Sequence, residues 1–263
     1  MALLATVLLA VIAVADFLMA RTLAATPRRA LGVAFATLLF VLTYLYLNLF
    51  NHLLANVPWD DFIYFERLPA HAGIMLIIAL CWYLPGRISR GTIVFLLLLG
   101  GGYGLLEVGG PMLLPLYAGS LSDRVERLPS GQIEVIQSTG WSCGPAALAW
   151  ALQTKGLPAT ERQVARLAAS TPFHGTVDAG LVRACHKLGV SAVMRRPVTF
   201  EELEKLPMPC LATWHLSGAV MHEIAVLRVE PDNVEVGDPM MGQMEYTRAE
   251  FEHKWMRDAL VMW

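Results

Sequence analysis

Charge is scarce in this 263-residue chain: 16% of residues are charged and 56% are hydrophobic. There is no basic excess either. The chain has 20 Lys and Arg against 22 Asp and Glu, which removes the electrostatic footprint of a nucleic-acid-binding protein. No G-x-x-x-x-G-K-[ST] run occurs, so this sequence carries no P-loop ATPase. The cysteines are few: Cys81, Cys143, Cys185 and Cys210. None forms a C-x-x-C pair and none has the Cys/His spacing of a structural zinc site. Their spacing suggests no disulfide framework, and nothing in the sequence asks for a metal or a cofactor.

The sparse charge is unevenly spread. Residues 1–120 hold long apolar runs, and residues 121–263 carry most of the acids and bases. A helix that spans a bilayer needs about 20 apolar residues. Four runs approach this: residues 2–20, interrupted by Asp16; 30–50; 68–84, containing His71; and 92–117, containing Glu107. A cleaved signal peptide would have basic residues before its apolar core. Here Arg21, Arg28 and Arg29 follow it, so the first run is expected to be retained. The next loop is acidic, with Asp60, Asp61 and Glu66, and the third is basic, with Arg87 and Arg90. By the positive-inside rule the four spans begin outside, which leaves residue 121 onward outside as well. The expected location is a bacterial inner (cell) membrane, crossed several times, with the second half on the periplasmic side. Gly100, Gly101, Gly102 and Gly104 are expected to allow close helix packing, and Asp16 and Glu107 to lie near interfaces or pair with another helix.

The expected domain layout is a membrane region over residues 1–119, a polar linker over 120–132 and a folded domain over 133–263. In that domain helical patterns come first: 146–153, then a helix opened by the capping-box pattern Thr160-Glu161-Arg162-Gln163, then 177–188 and 199–206. Strand patterns follow at 209–214, 223–229, 233–236 and 243–246. A helix at 248–256 and a closing strand at 259–263 complete the order. Gly237-Asp238-Pro239 reads as a turn. Helices followed by an antiparallel sheet make an α+β domain.

Cys143 stands directly before Gly144-Pro145-Ala146-Ala147. Pro145 is favoured in the first turn of a helix, where its missing N–H would be unpaired anyway. Cys143 is therefore expected where the helix begins. Free N–H groups and the positive end of the helix dipole favour a thiolate there, the reactive form of cysteine. The competing reading of Cys143 is a small buried hydrophobe.

Its distant neighbours favour reactivity. His222 opens one strand and Asp238 follows the next, so a short turn between antiparallel strands brings their ends together. His222 can take the thiol proton, with Asp238 holding the imidazole in the useful tautomer. Gln137 precedes Cys143 by six residues, and its amide can join the Cys143 backbone N–H in stabilising an oxyanion. His215 is the alternative base. His174, His186 and His253 read as surface or helix residues, Cys185 and Cys210 as core, and Trp141 as a packed aromatic.

Four features together resemble the family C39 cysteine peptidases, which have a papain-like fold. They are Gln137 before Cys143-Gly144-Pro145-Ala146; His222 opening an apolar strand; Asp238-Pro239 with Gly242 after it; and the 248–255 helix before a last strand. The resemblance covers about half the chain. It implies Cys143 as nucleophile, His222 as general base, Asp238 as its orienter and Gln137 as oxyanion donor. The family is best known for trimming double-glycine leader peptides as part of ABC exporters, with transmembrane and ATPase domains after the peptidase. Here the apolar runs come first and no ATPase motif follows.

The expected function is a membrane-anchored cysteine endopeptidase that processes a leader or precursor of a secreted or envelope protein. Its partners are a peptide or protein substrate, the lipid bilayer and a separate secretion or assembly complex. The alternatives are a peptide-binding or acyl-transfer module on the same fold, and an assembly protein whose second half docks a partner.

Overall fold

The computed structural model describes residues 1–51, 56, 59–83, 89–129, 131–217 and 220–263. Arg87, used above to orient the third loop, and Leu84, the end of the third expected run, lie outside them. The chain divides into two compact units: Met1–Leu53 with Asp61–Leu113, and Leu54–Asp60 with Leu114–Trp263.

The first unit is helical. It contains α1 (Ala2–Leu23), α2 (Pro27–Asn51), α3 (Leu68–Tyr83) and α4 (Arg90–Gly109), with a 3-10 turn at Asp60–Tyr64 before α3. Among the described residues, three helical stretches are long and apolar enough to cross a membrane: Ala2–Leu23, Asp60–Tyr83 and Arg90–Ser120. The remaining expected run, 30–50, falls within α2, which is 25 residues long.

Helix α3 packs against α1, α2 and α4. Its contact with α2 depends on Gly73, where a Cβ would lie 2.3 Å from Val41 Cγ2. Of the four glycines expected to pack, Gly104 lies against the His71 ring and Gly100 near Ile78, while Gly101 and Gly102 face open space. Glu107 on α4 is buried and pairs with Arg67 just before α3, at 2.7 Å. It also accepts a hydrogen bond from Tyr103 at 2.6 Å. The polar residues of this unit thus join helices to each other, as expected for ionisable groups among apolar helices. Asp16 is also buried, and its Oδ2 makes no hydrogen bond.

The second unit begins with short helical turns, including α5 (Leu114–Tyr117), and a two-stranded ribbon of β1 (Glu126–Arg127) and β2 (Ile133–Glu134). Three helices follow: α6 (Cys143–Thr154), α7 (Glu161–Leu167) and α8 (Asp178–Lys187). Then come β3 (Ala192–Arg195), α9 (Phe200–Leu203), β4 (Cys210–Ser217), β5 (Val220–Val229), β6 (Asn233–Asp238), β7 (Gly242–Thr247), α10 (Arg248–Lys254) and β8 (Ala259–Met262). The large sheet is antiparallel, in the order β3-β8-β4-β5-β6-β7. An α+β domain with an antiparallel sheet is what the element order implied.

One core, built on α6 with Trp150 and Leu152, fills one side of the sheet. A second core, with Phe200, Trp214, Phe251 and Trp255, fills the other. Burial of apolar side chains on both sides is the main force holding the sheet. Cys185 and Cys210 are fully buried in these cores, where loss of hydration pushes both thiols up to about 12. All four cysteines are free.

Three details differ from the sequence reading. The segment expected as a linker is packed: Leu121 is buried, and Ser122 N–H donates to Glu161. Strand β3 has no counterpart in the expected strands; it is a four-residue edge strand, too short to show an alternating pattern. The expected turn at 237–239 begins only at Pro239, two residues after Gly237, because Gly237 and Asp238 continue β6 and pair with Gln243 and Gly242. Of the capping box expected at Thr160 one half is present: Gln163 N–H donates to the Thr160 hydroxyl at 3.2 Å.

Candidate active site

Helix α6 starts at Cys143, with Ser142 as its cap residue. Pro145 is therefore third in the helix, where its missing N–H still removes no intrahelical bond. The first helical hydrogen bond runs from Ala146 N–H to Ser142 O at 3.0 Å. The Ser142 hydroxyl is buried and accepts from Thr139 N–H and Thr139 Oγ1, which folds the 139–142 loop into a tight turn. That turn aims the start of the helix at the end of the sheet.

Helix α6 packs along β5. Close approach of the helix to β6 requires Gly237, since a Cβ there would lie 2.6 Å from Trp150 Cε2. The last paired residues of β5 and β6 at this end are Ala225 and Gly237. His222 and Asp238 lie just past that pair, where the two strands separate.

There, His222 Nε2 and Asp238 Oδ1 are 2.7 Å apart, with His222 3% and Asp238 4% exposed. Asp238 Oδ1 also accepts from Met240 N–H at 2.8 Å. Because Nε2 faces the carboxylate, Nδ1 is the ring nitrogen left for the sulfur. The His222 side chain and the backbone N–H groups of Glu223 and Gly144 act on the Cys143 thiol and lower it. Three of the residues singled out from the sequence therefore form one line: sulfur, imidazole, carboxylate. His215 is exposed on β4, opposite Met221, and the imidazole that meets Cys143 belongs to His222.

The electrostatics follow from this contact. Burial pushes the Cys143 thiol up, but the hydrogen bond to His222, the two backbone N–H groups and the imidazolium charge together bring it below its ordinary value. Burial pushes His222 down, but the Asp238 and Cys143 contacts outweigh it and raise the imidazole to about 9. Asp238 is held below the usual carboxylate range: burial would raise it, and the His222 and backbone N–H hydrogen bonds overcome that effect. All three directions favour a thiolate–imidazolium pair braced by a carboxylate. Such a pair supplies a nucleophile and a general acid at neutral pH.

Gln137 is placed by its backbone, whose N–H donates to Pro239 O at 2.9 Å. Its side-chain Nε2 donates to Thr139 O at 2.8 Å, which leaves one amide N–H uncommitted to that bond. The loop containing it is fastened by Glu161 at the start of α7. This buried carboxylate accepts from Ser138 N–H at 2.8 Å, from the Ser138 hydroxyl and from Ser122 N–H at 3.1 Å. Trp141 packs edge-on against Tyr117, with ring centroids 5.6 Å apart.

Sequence reasoning missed Glu161, Thr213, Glu223 and Asp258. The available signal was an acid directly before an apolar strand run, at Glu223, and an acid directly before the last strand, at Asp258. Among the described residues no group of His, Cys, Asp and Glu has the arrangement of a metal site.

Comparison with known proteins covers the same segment. Residues 133–263 match the model of the peptidase C39 family. An uncharacterized protein of Methanothermobacter marburgensis is 35% identical over 135 residues, which span 50% of this chain and 88% of that protein. The probable functional amyloid protease FapD of Pseudomonas aeruginosa is 31% identical over 128 residues, covering 46% of this chain and 56% of FapD. Among solved structures, a double glycine motif protease from an AMS/PCAT transporter, in complex with its leader peptide, aligns with a TM-score of 0.45 and 20% identity. It covers 53% of this chain and 91% of that one. Through residues 133–263 the chain belongs to the peptidase C39 family and is a cysteine peptidase.

Proposed function

We propose that this protein is a membrane-anchored cysteine endopeptidase that cleaves a peptide or protein substrate through Cys143, His222 and Asp238. The observation that carries this reading is the buried His222–Asp238 pair, 2.7 Å apart, whose imidazole acts on the Cys143 thiol at the start of α6.

In this reading the Cys143 thiolate attacks the carbonyl carbon of the scissile peptide. The new S–C bond pushes the carbonyl electrons onto oxygen. The backbone N–H of Cys143, which has no partner inside the helix, and the uncommitted N–H of Gln137 stabilise that oxyanion. The imidazolium of His222 gives its proton to the departing amine as the C–N bond breaks, leaving a thioester. Neutral His222 then takes a proton from water, the hydroxide attacks the thioester, and the thiolate leaves beside the re-formed imidazolium. Asp238 stays ionised throughout, holding Nε2 so that Nδ1 faces the sulfur.

The membrane anchor in this proposal is residues 1–119, with four spans. Its support is the set of long apolar helices and their outward side chains: Leu3, Val7, Val11, Val14, Leu18, Phe35, Phe95 and Leu98 are all exposed. Rows of exposed large apolar side chains on helices of this length suit lipid. The loop charges favour a periplasmic peptidase unit in a bacterial inner membrane. The likeness to FapD, named as a probable functional amyloid protease, favours a precursor of a secreted or envelope protein as substrate, handled beside a separate secretion or assembly complex.

The test compares the secreted and envelope peptides of cells making the wild-type protein with those of cells making Cys143→Ala. The expected result is accumulation of an uncut precursor in the variant, with the variant protein present at normal level. Identical peptide patterns would refute the proposal. Product masses carrying water at the new C-terminus distinguish hydrolysis from acyl transfer.

A further inference from the structure

The backbone of Gln137 is held on both sides. Its own N–H donates to Pro239 O at 2.9 Å. The next N–H, that of Ser138, donates to Glu161 Oε1 at 2.8 Å. These two rigid peptide planes flank the Gln137 Cα, so fixing both fixes the direction in which the side chain leaves the backbone. The bond from Nε2 to Thr139 O then sets the amide. An oxyanion donor must lie about 2.7–3.1 Å from the developing charge, so a small shift of Gln137 is enough to lose its help.

Glu161 also binds a distant stretch of chain. Its Oε2 accepts from the Ser138 hydroxyl and from Ser122 N–H at 3.1 Å. Ser122 comes just after the apolar stretch Arg90–Ser120 ends. The start of α7 fastens this exit segment at several further points. Arg162 N–H donates to Ser122 O at 3.1 Å, Arg162 Nε donates to Leu121 O at 3.0 Å, and Arg162 Nη1 pairs with Asp123 at 3.0 Å. The Thr160 hydroxyl donates to the Asp123 carboxylate at 2.8 Å. Leu121 is buried, and upstream Tyr117 packs edge-on against Trp141, two residues before Cys143. Glu161 is itself fully buried, so its carboxylate relies on protein donors, Ser122 N–H among them, in place of water.

We propose that the exit segment, residues 121–123, is part of the oxyanion scaffold: Arg162 holds the segment, Ser122 helps to hold Glu161, and Glu161 keeps Gln137 aimed at the oxyanion. None of the bonds that Arg162, Ser122 and Glu161 make above reaches Cys143, His222 or Asp238, so these are positioning residues acting through Gln137. Loosening the chain just after its last apolar stretch therefore weakens oxyanion stabilisation and leaves the thiolate–imidazolium pair intact, because His222 and Asp238 are placed by β5 and β6. The inference rests on the roles proposed for Cys143 and Gln137, and its test separates the claims.

Two reagents read the two halves of the site in the full-length protein in detergent micelles. With p-nitrophenyl acetate the S–C bond forms, charge builds on the carbonyl oxygen, and p-nitrophenolate leaves. With iodoacetamide the S–C bond forms as iodide leaves, and no oxyanion develops. Gln137→Ala is expected to slow acetylation of Cys143 by about tenfold or more, towards the range for removal of an oxyanion donor, with alkylation unchanged. Arg162→Leu, which frees the exit segment from outside the site, should slow acetylation by up to about tenfold, again with alkylation unchanged. It should add nothing when Gln137 is already alanine, as for two changes acting through one group. Ser122→Pro is the second variant: it removes the N–H that Glu161 accepts and leaves the Ser138 bonds. Leu121, at φ −86° and ψ 146°, already has the extended backbone that precedes a proline. The same selective slowing is expected.

Equal slowing of acetylation and alkylation in Arg162→Leu is general loosening of the site and overturns the proposal. Unchanged acetylation in both Arg162→Leu and Ser122→Pro overturns it, and so does a further loss when Arg162→Leu is combined with Gln137→Ala. Unchanged acetylation in Gln137→Ala alone removes the route through that amide and overturns it as well. Failure of the proposed function would instead appear as undiminished precursor cleavage by Cys143→Ala, whatever the two rates show.

Discussion

The backbone N–H of Gln137 donates to the carbonyl oxygen of Pro239 at 2.9 Å. This single bond joins two stretches that carry different parts of the site. Gln137 leads into the Cys143 loop, and Pro239 follows Asp238. Glu161 holds the same loop from the other side through Ser138. The position of the thiol relative to the His222–Asp238 pair is therefore set by fixed contacts.

Removing the carboxylate while keeping its shape should disable the imidazole. Asp238→Asn is expected to lower kcat by up to about 10⁴-fold, the size of effect seen when a triad carboxylate becomes an amide. The same change should shift the thiolate of Cys143 towards its ordinary acidity, because His222 loses its main support. Alkylation rates of Cys143 measured against pH check this; an unchanged profile would mean that Asp238 does not orient the ring.

The pH dependence has a definite sign. His222 is raised in the folded protein to about 9. Its contribution to stability is therefore fully present below its ordinary value of about 6.5 and is lost as pH rises through about 9. Asp238 is depressed, so its contribution is present above the ordinary aspartate value and lost as acid reaches its lowered folded value. Unfolding by denaturant at several pH values should show the penalty of Asp238→Asn largest near neutrality and shrinking as pH rises through about 9.

Gly237 has no room for a methyl group, because Trp150 is fully buried behind it. Gly237→Ala is expected to cost about 1–3 kcal/mol of stability, the usual range for overpacking a core. It should also reduce cleavage, since Asp238 is the next residue along β6. Thermal unfolding and a cleavage assay on the same sample check both effects together.

Glu161 holds three donors in a buried place. Glu161→Ala leaves the Ser138 and Ser122 N–H groups without their acceptor. A loss of about 2–6 kcal/mol is expected, given about 1–3 kcal/mol for each unsatisfied buried group. Looser anchoring of the Cys143 loop should lower kcat more than it raises KM. Amide hydrogen exchange across residues 137–143 should accelerate.

The amino-acid sequence by itself determined the order of elements, the apolar character of the first half and the candidate residues for the chemistry. Apolar spacing and turn residues act locally, so helices such as 177–188 and strands such as 243–246 were legible within a residue or two. Cys143 before Gly144-Pro145 marked a helix start for equally local reasons. What only the tertiary structure decided was reach. That His222 rather than His215 acts on the sulfur is decided by the packing of α6 along β5. Glu223 and Asp258 look like ordinary strand-edge acids in sequence, and only their burial beside Thr213 pushes their carboxyls up. Solvation and charge coupling are properties of packed neighbours, and no residue carries them along the chain alone.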